Sequence, residues 1–227
     1  MIKPIEMEIL AEHIINIQRE MPPNVTLVAV TKTRPVELLE EAYSLGLRNF
    51  GENRVQEMVY KQPLLPADIK WHQIGHLQTN KVKYIAPFVD LIHSIDSLKL
   101  LMEVDRQALK NVRIIDCLLQ IYIAKEESKF GLDEEEAILM LLSDELREMK
   151  NIRICGLMGM ATYTDDDETV RREFASLKSF FDRLKSDYFT EKDYFTHLSM
   201  GMSGDYHIAI EEGSTMVRIG TALFGER

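Results

Sequence analysis

Lys32 closes the apolar run VAVTKT, and a lysine in that position is a candidate amine nucleophile. It shares side-chain parity with Val28 and Val30, so if those valines face the interior of a barrel, Lys32 faces the same way at its mouth. Burial there disfavours the ammonium form and lowers the pKa, the condition under which a lysine forms Schiff bases. Arg218, in STMVRIGTALFG, has the parity of Met216 and supplies a second cation near the last strand. If the first and last strands are neighbours, both cations face one pocket, and their repulsion calls for an anionic or electron-rich ligand between them. Donors for a phosphate lie close by in the sequence: Ser199, Gly201 and Ser203 in LSMGMSGD, then Gly220 and Thr221 directly after Arg218. Glycines let backbone N–H groups approach an anion, and a short helix expected over 205–212 adds its dipole. Each feature alone also reads as something ordinary: a loop lysine, a strand-end arginine, a turn. Only a fold that closes on itself gives them a common purpose.

The elements that would position these residues follow from periodicity. A leading amphipathic helix is marked by Met7, Leu10, Ile14 and Ile17, with Ile5 and Ile9 alongside. The run 26–31 is a buried parallel-type strand, and Pro35 begins a helix that Gly46 closes. The alternation then repeats, with strands near 48–51, 70–74, 90–93, 113–123, 152–160, 195–198 and 216–219. Helices fall between them at 53–61, 78–86, 96–109, 133–149, 167–185 and 205–212. The clearest is 167–185, where Val170, Phe174, Leu177, Phe181 and Leu184 form one apolar stripe. Eight strands separated by helices in 227 residues predict a single α/β domain over 1–227, a TIM-type (β/α)8 barrel with an extra N-terminal helix. A Rossmann or flavodoxin-like sheet is the alternative, but no strand is followed by GxGxxG or GxxxxGK[ST]. In such barrels the chemistry sits at the carboxyl ends of the strands, and phosphate is commonly held after strands seven and eight.

Composition excludes several classes. Lys plus Arg total 27 against 37 Asp plus Glu, a formal net charge of −10, and the basic residues do not cluster, so no nucleic-acid partner is expected. The N-terminal stretch has neither a signal-peptide core nor a membrane span, which predicts a cytoplasmic protein with no membrane partner. Cys117 and Cys155 lie in apolar runs without metal-ligand spacing and read as reduced core residues, and no metal is expected.

The segments LVAVTKTRP, NFGENRVQE, WHQIGHLQTNK, GLMGMAT and HLSMGMSGDYHIAIEEGSTMVRIGTALFG resemble the pyridoxal 5′-phosphate (PLP) homeostasis proteins, relatives of the alanine racemase N-terminal barrel. The resemblance spans nearly the whole chain. It implies that Lys32 is the Schiff-base lysine, that Ser199, Gly220 and Thr221 hold the phosphate, that Arg218 meets the pyridine nitrogen, and that Asn53 and Met200 line the cofactor. The chain departs from the family after strand five, where Ile121, Tyr122, Ile123 and Ala124 replace a stretch that is usually INIS-like. His76 is expected to be a rim or capping residue rather than a catalytic one.

An arginine at the pyridine nitrogen does not keep that nitrogen protonated, as a carboxylate would, so transamination and decarboxylation are disfavoured. Racemisation needs a second base on the opposite face of the α-carbon. Alanine racemases bring a tyrosine from a separate domain of the partner subunit, and only nine residues follow Arg218 here. The expectation is therefore a PLP carrier with little or no turnover, acting in cofactor supply to PLP-dependent apo-enzymes as a monomer or weak dimer. The alternatives are a PLP-dependent amino-acid racemase, with Tyr122 as a candidate second base, and a barrel lyase or aldolase using Lys32 on its substrate.

Overall fold

The computed structural model describes residues 4–124 and 131–226. Short apolar strands buried on both faces need helices outside and side chains inside, and a closed parallel barrel supplies both. The chain runs α1 (Pro4–Glu20), β1 (Thr26–Val30), α2 (Val36–Ser44), β2 (Asn49–Glu52), α3 (Val55–Lys61), β3 (Lys70–Gln73), α4 (Val82–Ile85), β4 (Leu91–Ile95), α5 (Leu98–Lys110) and β5 (Ile115–Gln120). It continues with α6 (Glu134–Leu142), α7 (Asp144–Glu148), β6 (Ile152–Met158), α8 (Asp167–Tyr188), β7 (His197–Ser199), α9 (Tyr206–Glu211), β8 (Met216–Ile219) and α10 (Thr221–Phe224). Two single turns of 3-10 helix, Gln62–Leu64 and Thr79–Lys81, complete the order. The eight strands form a closed barrel in sequence order, the fold expected from the pattern.

Closure pairs β1 with β8, setting Val28 opposite Arg218 and Ala29 opposite Ile219. Alternation along the strands then divides the core in two. Val28, Leu91, Leu118, Cys155, Met158 and Met216 fill part of the barrel interior. Ala29, Phe50, Trp71, Ile92, Leu119, Leu157 and Val217 belong to the larger apolar layer that the helices cover. The α8 stripe is buried as its spacing predicts, and so are Leu10, Ile14 and Ile17 of α1. The side chains of Ile5 and Met7 lie outside the described residues.

Besides shifts of up to three residues at element ends, such as β7 at His197–Ser199 where 195–198 is expected, four details differ from expectation. The helix expected over 133–149 is two helices, because Ser143 has an extended ψ of 147° and its hydroxyl caps Leu146 N at 3.3 Å. The strands expected over 113–123 and 152–160 end at Gln120 and Met158. The segment 78–86 holds only one turn each of 3-10 and α-helix. Finally, a one-turn helix, α10, follows β8.

Cys117 and Cys155 are free and buried, and burial pushes both thiols up, Cys155 to about 12. Among the described residues no helix is long and apolar enough to cross a membrane.

Candidate functional site

Lys32 sits one residue beyond Thr31, in a turn closed by Arg34 N donating to Thr31 O at 3.0 Å, and it is half-buried. Thr33, its neighbour, has a left-handed φ of 62°. A buried ionic cluster under α3 holds this turn from below. Lys61, 4% exposed, donates to Thr31 O at 2.9 Å, to Glu52 Oε1 at 2.7 Å and to Glu57 Oε2 at 3.3 Å. Thr31 Oγ1 donates to Glu52 Oε1 at 2.6 Å, and Glu57 Oε2 accepts Thr33 N at 2.6 Å. Burial pushes the Glu52 carboxyl up, with Lys61 pulling against it. Burial would also raise Glu57, but the Thr33 N–H and the Lys61 ammonium together hold it below the usual range.

Next to β1, Arg218 is 4% exposed. Its Nη1 donates to Ser199 O at 2.8 Å and Ser199 Oγ at 2.7 Å, and its Nη2 donates to Gly159 O at 3.0 Å. Burial lowers its pKa to about 10, against the pull of Asp205, so it remains a cation at neutral pH. These bonds use three of the five guanidinium N–H groups and leave two for a ligand.

The glycine-rich turn after β7 folds back on the start of α10. Ser203 Oγ accepts Gly220 N at 3.2 Å and Ala222 N at 3.3 Å. Gly201 has a φ of 96° and accepts Arg218 N at 2.9 Å. A Cβ on Gly220 would meet Val30 Cβ at 3.2 Å, so its absence keeps the seam between β8 and β1 open beside the Lys32 turn.

The residues singled out from the sequence therefore gather at the carboxyl ends of adjoining strands, with distinctions that the sequence did not make. Ser199 is fully buried, and its hydroxyl is committed to Arg218 and to His93 Nδ1, the latter at 3.0 Å. Met200, one residue on, packs its side chain in the outer apolar layer, so only its backbone can serve the mouth. Asn53 is half-buried after β2, and its carbonyl accepts Gln73 Nε2 at 3.1 Å. Thr221 is exposed at the start of α10. Tyr122 borders a cleft with Thr169, Glu173 and Phe180 of α8. Ala124 is half-buried. His76 Nδ1 lies 3.1 Å from Asp96 Oδ2 at an exposed rim position.

Sequence reasoning missed the Lys61–Glu52–Glu57 cluster and a pair of interior histidines, His72 and His93. Both groups have a signal in retrospect. Lys61 follows Glu57 at the i,i+4 spacing of a helical ion pair, and His72 and His93 occupy interior parities of β3 and β4.

The alanine racemase N-terminal domain model matches residues 5–227. The pyridoxal phosphate homeostasis protein of Aquifex aeolicus is 44% identical over 202 residues, which cover 88% of this chain and 86% of the relative. The chain belongs to the pyridoxal phosphate homeostasis protein family. A second member, from Synechocystis, is 41% identical over 209 residues, covering 91% and 94% of the two chains. Among solved structures, this homeostasis-family chain is similar to PipY of Synechococcus elongatus without PLP, with a TM-score of 0.88 at 36% identity over 95% of this chain and 100% of PipY. The PLP-bound form of PipY matches with a TM-score of 0.85. An alanine racemase of Clostridium difficile matches with a TM-score of 0.79 at 15% identity, over 97% of this chain and 57% of the racemase, and so shares the fold.

The donors at the mouth suit PLP chemically. An amine can meet its aldehyde, a guanidinium with N–H groups to spare can meet its ring nitrogen, and the start of α10 can meet its phosphate through Thr221 N–H, and through Gly220 N–H where the phosphate replaces Ser203 Oγ as its acceptor.

Proposed function

We propose that this chain holds PLP on Lys32 as a reversible covalent tether and serves intracellular PLP supply, with little or no turnover of its own. The observation that carries this reading is Arg218: a fully buried, hydrogen-bonded cation on the strand that pairs with the one preceding Lys32. When bound, PLP supplies an aldehyde that condenses with amines and a ring that can withdraw electrons. Arg218 stays protonated, so it can donate to a ring nitrogen but cannot deliver the negative charge that keeps that nitrogen protonated. We assign the phosphate to the backbone of Thr221 and Gly220, where it takes the place of Ser203 Oγ as acceptor of Gly220 N–H, and Asn53 and the Met200 backbone to the wall of the pocket. Ser199, placed on the phosphate by resemblance, is reassigned to Arg218, because its hydroxyl already has two buried partners.

Tyr122 borders the α8 cleft, which argues against it as a second base for racemisation. A cytoplasmic site of action, PLP-dependent apo-enzymes as partners, and a monomeric or weakly dimeric state complete the reading. Free, buried thiols agree with a reducing compartment.

Purified protein loaded with PLP should be yellow, borohydride should fix the cofactor on Lys32 by peptide mapping, and Lys32→Ala should lose the colour. A colourless wild-type protein that PLP does not colour refutes the reading. Protein-proportional α-deuteration of single amino-acid enantiomers in deuterated water would replace it with the racemase reading.

A further inference from the structure

Behind Arg218 a line of polar side chains crosses the barrel interior. Arg218 Nη1 reaches Ser199 Oγ at 2.7 Å, and Ser199 Oγ lies 3.0 Å from His93 Nδ1. His93 Nε2 lies 3.0 Å from His72 Nδ1, and His72 Nε2 lies 3.2 Å from Asn49 Oδ1. Ser199 and His93 are 0% exposed and His72 is 3% exposed, so water does not compete for these contacts.

The donors decide the direction of the line. A guanidinium can only donate, so Ser199 Oγ accepts from Arg218. If the hydroxyl then donates to His93 Nδ1, His93 carries its proton on Nε2 and donates to His72 Nδ1. His72 in turn carries its proton on Nε2 and donates to Asn49 Oδ1. Every polar atom in the line is satisfied. In the reverse direction His93 Nδ1–H donates to Ser199 Oγ, and a fully buried hydroxyl proton has no acceptor among the described residues. An unmet buried donor costs about 1–3 kcal/mol, so the first direction prevails. The direction also requires both histidines to be neutral.

We propose that His93 is a positioning residue for Arg218, acting through Ser199 in a one-way hydrogen-bond chain that runs from Arg218 to Asn49. The chain polarises Ser199 Oγ toward the guanidinium and fixes the rotamer of Arg218. It thereby decides which N–H groups remain for the ligand. Burial keeps both histidines neutral, and His197, Lys70 and Arg218 nearby add to that effect. The consequence for PLP rests on the reading of Arg218 as the ring-nitrogen partner. The direction of the chain does not.

The experiment has two arms. In apo-protein labelled with 15N-histidine, the long-range 1H–15N pattern should show His72 and His93 both protonated on Nε2 and bare on Nδ1 throughout the range where an exposed histidine titrates. Loss of each signal in His72→Gln and His93→Gln assigns them. A proton on either Nδ1 overturns the chain. In the second arm, His93→Gln, which can accept from Ser199 and donate to His72, should keep wild-type PLP affinity and visible band. His93→Leu should shift the band and weaken PLP binding by roughly tenfold, the lower end of the loss seen at metal sites when the residue orienting a ligand is removed. Equal loss in both variants, or none in His93→Leu, overturns the positioning role. Wild-type protein that takes up no PLP would refute the proposed function instead, while the tautomers, read without cofactor, still test the chain.

Discussion

The Glu57 carboxylate accepts the backbone N–H of Thr33 at 2.6 Å, and through that bond α3 grips the residue that follows Lys32. Thr33 is a β-branched residue at a φ of 62°, a conformation it does not adopt by preference. Glu57 also accepts from Lys61, whose other bonds hold Thr31 O and Glu52, so the turn is fixed on both sides of Lys32. Glu57→Ala should cost about 1.5–3 kcal/mol of stability, the range for a hydrogen bond to a charged group. It should also speed the release of PLP, since Lys32 would then sit on a looser turn. Glu57→Gln keeps an acceptor for Thr33 and should recover most of both. Urea unfolding and timed PLP transfer to a scavenging apo-enzyme read the two effects; unchanged release from Glu57→Ala would remove the turn from the account of PLP retention.

A second prediction comes from the same cluster. Glu52 and Gln73 are paired across β2 and β3, and Glu52 Oε2 and Gln73 Oε1 are both buried without a hydrogen-bond partner among the described residues. Two bare buried acceptors on paired residues cost free energy, and a proton on Glu52 Oε2 would supply a donor between the strands. Burial raises the Glu52 pKa, which favours that proton. Glu52→Gln, which mimics the protonated acid, should therefore change stability by less than about 1 kcal/mol. An ionised Glu52 would instead be the counter-charge of buried Lys61, and its loss would cost about 3–5 kcal/mol. A carboxylic-acid carbonyl band in the infrared spectrum, absent from Glu52→Gln, is the direct check.

The contrast between Ser199 and Met200 shows how far the sequence could be read. Parity along β1 and β8, with closure assumed, was enough to bring Lys32 and Arg218 to one mouth. The same parity separates Ser199, inside the barrel, from Met200, in the outer layer, but family resemblance grouped them as neighbours of one ligand. Ser143 was passed over because the apolar spacing of 133–149 runs through it unbroken. Its hydroxyl nevertheless caps Leu146, with Asp144 and Glu145 in the first turn behind it. The histidine line stayed hidden for another reason. Interior parity marks His72 and His93 separately, but only the register of β3 on β4 and the curvature of the barrel bring a histidine from one strand against a histidine on the next.

Backbone contact between β6 and β7 gives a third prediction. Gly156 pairs with His197, has a φ of 154°, and carries no Cβ where one would lie 1.7 Å from His197 O. No rotamer or small shift relieves a clash with a backbone carbonyl inside a closed barrel. Gly156→Ala should lose about 3 kcal/mol or more, combining backbone strain with overpacking. Gly204→Ala, where an added Cβ meets nothing within 4 Å, should stay within about 0.5 kcal/mol. Thermal melts of the two variants decide it, and a Gly156→Ala protein as stable as the wild type would contradict the strand register described above.

Acid should destabilise the protein through its buried histidines before the carboxylates with lowered pKa values titrate. Burial, before any other cause, lowers the pKa of His72 to about 3, of His93 well below the ordinary value, and of His197 in the same direction. In the unfolded chain these side chains take up protons near pH 6.5, while in the fold His72 and His93 remain neutral. The unfolded state then binds more protons, so stability is full above that pH and falls as the pH drops through the window below it. Each fully shifted histidine contributes a slope of about 1.4 kcal/mol per pH unit. Glu57, Glu103 and Asp166 have lowered pKa values and lose their contribution only at lower pH, while Glu52, Asp90 and Asp205, raised by burial, take up protons in the fold first and oppose the loss, so the decline that is seen first belongs to the histidines. His93→Gln removes one of them without breaking the polar line, and should flatten the slope by about 1.4 kcal/mol per unit. Chemical unfolding of wild type and variant across that window measures both slopes. Parallel curves would mean that His93 is already charged in the fold, which the one-way chain to Asn49 forbids.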